Sequence, residues 1–153
     1  MRYVISRKNK RPINKNVEKI LDEEKLNNLD NLDSCLKFKK NCENSKIKLN
    51  NLLKKYISEG KRIVGYGATS KSTTILNYCE INSEIIEYIC DTTKEKIGKY
   101  SPGMHIPIVS VDHFRNDNPD IVYLFAWNHK KEILDKEKEF SQNKIQWISH
   151  VEL

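Results

Sequence analysis

The residues best suited to chemistry cluster around a glycine turn, Gly65-Tyr66-Gly67-Ala68-Thr69-Ser70-Lys71. Arg62-Ile63-Val64 leads into it, and an apolar-periodic segment, Ile75-Leu76-Tyr78-Cys79, follows. A second apolar run, Ile85-Ile86-Glu87-Tyr88-Ile89-Cys90, ends on Asp91. In order these read strand, glycine turn, helix, strand, acid, the first half of a Rossmann-type unit. Gly65 and Gly67 permit a turn that a Cβ would obstruct and let a ligand lie against the main chain. A helix starting there aims its unpaired N–H groups and the positive end of its dipole at that space, which suits a phosphate. Lys71, in the first helical turn, adds a point charge to the same anion. Asp91, at the carboxyl end of the second strand, stands where such folds take a ribose hydroxyl. Ser70 occupies the place of the usual third glycine, so the turn alone also reads as a tight structural connection.

Two other stretches compete for this site. Trp127-Asn128-His129 follows Ile121-Val122-Tyr123-Leu124-Phe125-Ala126, the most apolar run, which reads as a central parallel strand buried on both faces. In a parallel sheet the segments that follow strands share one edge, so residues 65–71, Asp91 and Trp127-Asn128 are expected at a single rim. Trp127 reads equally as a ligand contact or a cap on the core. His105, in the Pro102-Gly103-Met104-His105 loop, precedes a brief strand at 106–109 and reads as a site residue or a loop brace. His113 and His129 read as surface groups, and His150 has no inferred partner. The rim offers no nucleophile elbow, no paired carboxylates at defined spacing and no His-Glu metal pattern. It is built to hold an anion rather than transform it, and no catalytic residue is assigned.

The elements that must position these groups follow from periodicity. Residues 14–25 predict a helix capped by Asn14 or Asn16, with Val17, Ile20 and Leu21 on one face. A turn at 29–33 precedes a longer helix, capped by Asp33 or Ser34 and reaching about residue 58. Its apolar positions Cys35, Phe38, Cys42, Leu49, Leu52, Leu53 and Tyr56 are expected to pack on the body of the same chain rather than form a coiled-coil seam. Gly60 stops it in the left-handed conformation. Beyond Asp91, residues 92–107 form a loop and 112–115 one helical turn. A helix over 131–140 leads to a last strand at 145–148. The expected fold class is α/β, a Rossmann-like three-layer parallel sheet preceded by an N-terminal helical segment.

The totals narrow the classes further. With 153 residues the chain fits one domain and an appendage, and at 38% hydrophobic and 31% charged it is polar. No apolar run approaches the roughly 18 residues of a membrane helix, and the start is too short of apolar residues for a signal peptide. A cytoplasmic protein without a membrane partner is therefore expected. Cys35, Cys42, Cys79 and Cys90 form no C-x-x-C pair and read as reduced, mostly packed thiols. The net charge of +6 comes from lysines dispersed among acids, without base-stacking aromatics. That composition argues against nucleic acid as a partner and for attraction of a small anion.

Several of these residues recur in one order. Gly65-Tyr66-Gly67-Ala68-x-x-Lys71, Leu76-Asn77-Tyr78, Asp91, Lys96-x-Gly98, Pro102-Gly103-x-His105-Ile106-Pro107 and Ala126-Trp127-Asn128 with Glu132-Ile133 together resemble the C-terminal domain of the sugar C-methyltransferases of deoxysugar biosynthesis. The resemblance covers essentially residues 1–148. It implies an enzyme that methylates a carbon of a nucleotide-linked keto-sugar after the carbon beside the carbonyl is deprotonated. In that family a zinc-binding piece and an S-adenosylmethionine-binding Rossmann domain precede this domain. The domain itself binds no methyl donor and helps form the nucleotide-sugar cleft. The resemblance thus implies that residues 65–71 lie near the sugar nucleotide. It also implies that residues 1–13 are a remnant of the last methyl-donor strand with a linker, 14–60 a helical bridge, and 61–153 the Rossmann-like domain. The sequence departs from the pattern at Ser70 and Ser72 and at His150-Val151. The family's zinc cysteines, methyl-donor motif and base residues would all precede Met1. The expectation is a truncated product or half of a split enzyme, inactive in methylation alone. Two alternatives stay open: a free-standing dinucleotide-binding oxidoreductase domain, and a non-catalytic interaction module for a separate S-adenosylmethionine-binding methyltransferase chain.

Overall fold

A computed structural model of the chain describes residues 4–141 and 145–152. The chain divides into two compact units, Met1–Cys42 and Glu43–Leu153. In the first, α1 (Lys15–Leu26) starts on Asn14, whose side-chain oxygen accepts the Asn16 N–H at 2.9 Å. None of its residues is buried. Helix α2 (Leu32–Ser58) begins in this unit and is capped by Asn31, whose Oδ1 accepts the Ser34 N–H at 2.9 Å. The cap therefore falls on the residue before the helix rather than on Asp33 or Ser34, because only a residue just outside the first turn can reach back to its N–H groups. Val4 and Ile5, within the expected remnant strand and linker of residues 1–13, are exposed and irregular, while residues 1–3 fall outside the described residues.

In the second unit α2 buries Leu49, Leu53 and Tyr56 and stops at Gly60, whose φ of 71° is the left-handed stop. The expected apolar stripe packs over this half only; Cys35 and Phe38, in the other unit, remain exposed. Five strands follow: β1 (Ile63–Tyr66), β2 (Ile89–Asp91), β3 (Ile108–Ser110), β4 (Ile121–Leu124) and β5 (Gln146–Ile148). They form one parallel sheet in the order β3-β2-β1-β4-β5. The α/β, Rossmann-like expectation is borne out, and the order reverses between β1 and β4, the point where such sheets leave a crevice.

The crossovers are α3 (Ser70–Cys79), α4 (Val111–Asn116), and α5 (Lys130–Lys136) with α6 (Lys138–Ser141). One core face gathers Ile63, Leu76, Ile89, Ile121, Tyr123 and Phe125 with Leu49 and Leu53 of α2. The other gathers Val64, Tyr66, Cys90, Phe114, Val122 and Leu124. This is the two-residue alternation of strands covered on both sides. Strand β2 is shorter than the apolar run suggests, since the Ile85 and Ile86 N–H groups close a turn on the Asn82 carbonyl. The expected single helix at 131–140 breaks at Glu137, whose carboxylate is drawn into the core.

Opposite the rim, the amino ends of three strands are tied by Arg62. Its Nη1 and Nη2 donate to Asp117 at 2.8 and 3.0 Å, its Nε and Nη2 to Glu87 at 3.1 and 2.6 Å, and its backbone N–H to Asp120 at 2.8 Å. The Tyr88 hydroxyl adds a 2.8 Å bond to Asp117. These partners, Arg62 first, hold the Asp117 carboxyl down at about 2 from its ordinary 3.8. A depressed carboxylate stabilises the fold above its unfolded pKa and stops doing so as pH falls through the folded value. Asp117→Asn should therefore lower stability near neutrality by on the order of 2 kcal/mol. It should also flatten the loss between about pH 4 and 2; equal pH slopes in thermal melts of both proteins would contradict this.

Candidate functional site

Strand β1 runs two residues further than the sequence suggests, so Gly65 belongs to the strand. A Cβ there would stand 2.8 Å from Phe125 Cε2 and 2.9 Å from Ile89 Cγ1. This glycine lets neighbouring strands' side chains close over β1, a packing role rather than ligand access. Gly67 makes the turn itself, with φ at 93°. Tyr66 between them points into the core, 5% exposed, and its hydroxyl donates to Glu137 Oε1 at 2.9 Å. Burial and that carboxylate push the phenol's pKa well up, so the side chain serves the back of the turn and not its open face.

Past Gly67 the turn closes on α3. Thr69 is its cap: Oγ1 accepts the Ser72 N–H at 3.3 Å and the Thr69 carbonyl accepts the Ser72 hydroxyl at 2.6 Å. The backbone N–H groups of Ser70 and Lys71, in the first turn, have no intrahelical acceptor. Lys71 is exposed, donates from Nζ to Asn128 Oδ1 at 3.3 Å, and lies 5.9 Å from the Trp127 ring centroid. Trp127 is 37% exposed and opens a 3-10 turn that follows β4 after Phe125 and Ala126. The ends of β1 and β4 are thus joined through side chains at the switch point, as the topology rule requires.

Asp91 closes the other flank. It is 6% exposed; Oδ1 accepts the Thr93 N–H at 2.8 Å, and Oδ2 accepts Lys96 Nζ at 3.2 Å. The same ammonium donates to the Ala68 carbonyl at 2.8 Å. Burial alone would raise the Asp91 pKa, but the bonds from Thr93 and Lys96 outweigh it and the net shift is downward. Asp91 and the turn are therefore bridged by Lys96. Sequence reasoning assigned Lys96 no role at the site; its signal was a lysine five residues beyond a strand-end acid.

His105 does not join this group. Residues 98–108 fold back as a hairpin, with the Gly98 N–H on the Ile108 carbonyl at 2.9 Å and the Ile108 N–H on the Lys99 carbonyl at 2.8 Å. Its tip docks on α3 through Asn77, which donates to the Pro102 carbonyl at 3.0 Å. At ~3.3 Å per residue the tip lies roughly 15 Å back from the strand ends. Of the two readings left open for His105, site residue or loop brace, the structure puts it near the amino ends, because the loop runs antiparallel to β3 instead of across its top. His150 has a partner the sequence did not reveal: its Nδ1 lies 2.9 Å from the buried Tyr123 hydroxyl.

Cys79 and Cys90 are buried, and burial pushes both thiols up, whereas Cys35 is exposed. Among the described residues no group of three or more His, Cys, Asp or Glu could hold a metal ion, and no helix is long and apolar enough to cross a membrane.

Residues 1–151 match the family model of the C-methyltransferase C-terminal domain. This chain belongs to that family. It is 34% identical over 127 residues to the C-methyltransferase NovU of Streptomyces niveus, a match covering 83% of this chain and 30% of that protein. The chain thus spans under a third of that relative's length. Within this C-methyltransferase C-terminal domain the rim formed by the ends of β1, β2 and β4 brings together residues 67–71, Asp91, Lys96, Trp127 and Asn128.

The two glycines should fail in different ways. Gly65→Ala forces Phe125 and Ile89 apart and should cost about 1–3 kcal/mol in denaturant unfolding, as overpacking does. Gly67→Ala places a side chain at φ 93° with its Cβ 3.0 Å from Ala126 Cβ. It should cost a similar ~1–3 kcal/mol through backbone strain. Wild-type midpoints for either variant would refute the packing just described.

Proposed function

We propose that this rim holds the diphosphate of a nucleotide-linked keto-deoxysugar, as the substrate-holding part of an S-adenosylmethionine-dependent C-methyltransferase. The observation that carries the reading is Lys71, exposed at the open turn of α3, with its ammonium on Asn128 and over Trp127. A cation, two unpaired backbone N–H groups and an exposed ring converge where a doubly wound sheet binds its ligand. The lysine meets phosphate as a point charge, and the indole offers a face to the base or the sugar. Family membership and the likeness to a named C-methyltransferase support the reaction class. Residues 67–71, Trp127 and Asn128 are the proposed substrate contacts, and no catalytic group is assigned among them. In this reading the helices within 14–60 bridge to a methyl-donor domain, carried in the same or a separate chain.

The rim does not fit S-adenosylmethionine. The acid that would take a nucleoside cofactor's ribose hydroxyls is Asp91, which is buried and bound on both oxygens by Thr93 and Lys96. The methyl donor is therefore assigned to another part of such an enzyme. The same observation weighs against a free-standing dinucleotide-dependent oxidoreductase.

Calorimetric titration with UDP-glucose and TDP-glucose tests the proposal. Binding is expected, with quenching of Trp127 fluorescence that Trp127→Phe removes. Lys71→Ala should weaken affinity roughly tenfold, the value of one charge-assisted contact. Heat from neither ligand would overturn the reading. The chain with S-adenosylmethionine and a keto-sugar nucleotide should form no methylated sugar; turnover would show that the catalytic groups lie in this chain.

A further inference from the structure

We propose that Lys96, not Asp91, is the ligand-facing group on the β2 flank of the turn, and that Lys96 and Lys71 together grip the two phosphates of a diphosphate. This rests on the reading of the rim as an anion site and names the contact on its second side.

An ammonium has three donors. Lys96 directs one to the Ala68 carbonyl at 2.8 Å and one to Asp91 Oδ2 at 3.2 Å. Its side chain is 39% exposed while that of Asp91 is 7% exposed, so solvent reaches the lysine over the acid. The third donor is left for a ligand. Asp91 becomes the fixed counter-ion that holds Lys96 at the mouth, and its other oxygen is committed to the Thr93 N–H. A cation tethered to a buried carboxylate and a main-chain carbonyl has lost most of its rotamer freedom before any ligand arrives, which favours binding.

Spacing selects the ligand class. Lys71 is anchored at the end of β4 through Asn128, and Lys96 at the end of β2 through Asp91. Strands β2 and β4 flank β1, so their ends lie about 10 Å apart at ~4.8 Å per strand, and the two lysines are tied to opposite flanks of the turn between them. Two linked phosphates have the longer reach needed to meet cations on both flanks at once, with the Ser70 and Lys71 N–H groups between them, and a single phosphate the shorter one.

Calorimetric titration with inorganic pyrophosphate, orthophosphate and TDP separates the possibilities. Pyrophosphate should bind the wild-type chain at least tenfold more tightly than orthophosphate, and equal affinities would overturn the two-phosphate grip. Lys96→Met should weaken pyrophosphate and TDP by the same factor, at least tenfold; unaltered affinity would overturn the role of Lys96. Because Lys96→Met leaves a buried carboxylate without its cation, Lys96→Met/Asp91→Asn serves as the folded control and should show the loss of Lys96→Met with no addition. Asp91→Asn alone should weaken both ligands equally. A loss for TDP with pyrophosphate unaffected would instead make Asp91 a ribose acceptor and sink the inference. Lys96-dependent binding of pyrophosphate without any binding of nucleotide sugars would leave this grip standing and remove the nucleotide-sugar reading. Binding of none of these ligands would overturn both.

Discussion

The rim depends on how β1 is held up to its last residue and then released. Main-chain bonds grip it from both sides: the Gly67 N–H reaches the Cys90 carbonyl at 2.8 Å and the Phe125 N–H reaches the Tyr66 carbonyl at 3.0 Å. One residue later the chain leaves the sheet through the φ of 93° at Gly67. With both neighbours bonded to the last residues of β1, the ends of β2 and β4 sit beside the turn, and whatever follows them shares its edge. The ladder fixes the geometry; side chains then use it. Gly65 serves this by its absence of a side chain, since Ile89 and Phe125 close over it from the flanking strands.

Behind the turn, a carboxylate is buried with its partners around it. Glu137, 1% exposed, accepts the Tyr66 hydroxyl at 2.9 Å and two bonds from Arg115 at 2.8 and 2.9 Å. A buried carboxylate is tolerated only when paired and hydrogen-bonded, and here both oxygens are engaged. The cluster links β1, α4 and the junction of α5 and α6, and it coincides with the helix break at Glu137. On the open side the same rule operates at Asp91, whose two oxygens are also engaged; Arg115 and Lys96, the cations of the two acids, are both part-exposed. Each buried acid thus holds one part-exposed cation.

Family likeness and geometry speak to different properties of this domain. Membership of the C-methyltransferase C-terminal domain family says which kind of domain this is. Only the rim indicates what the domain itself is equipped to hold, because function resides in a site rather than in a fold. At the rim, cations and hydrogen-bond donors stand together, Lys71 beside Asn128 and Lys96 beside Asp91.

The sequence by itself determined the sheet class, the strand-turn-helix placement and the shared edge of Lys71, Asp91 and Asn128, because two-residue and 3.6-residue periodicities and glycine punctuation are local properties. It named the cysteines as packed, true of Cys79 and Cys90 and not of Cys35. It left His105 open between a site residue and a loop brace, since a loop before a strand has no local marker of its direction. Only the tertiary structure showed the hairpin that carries His105 away, the turning of Tyr66 onto Glu137, and the Lys96 bridge between Asp91 and Ala68. Each joins groups through side-chain directions and loop paths that no spacing encodes. An acid at a strand end is visible in a sequence; whether it faces a ligand or holds the cation that does is decided by what folds over it.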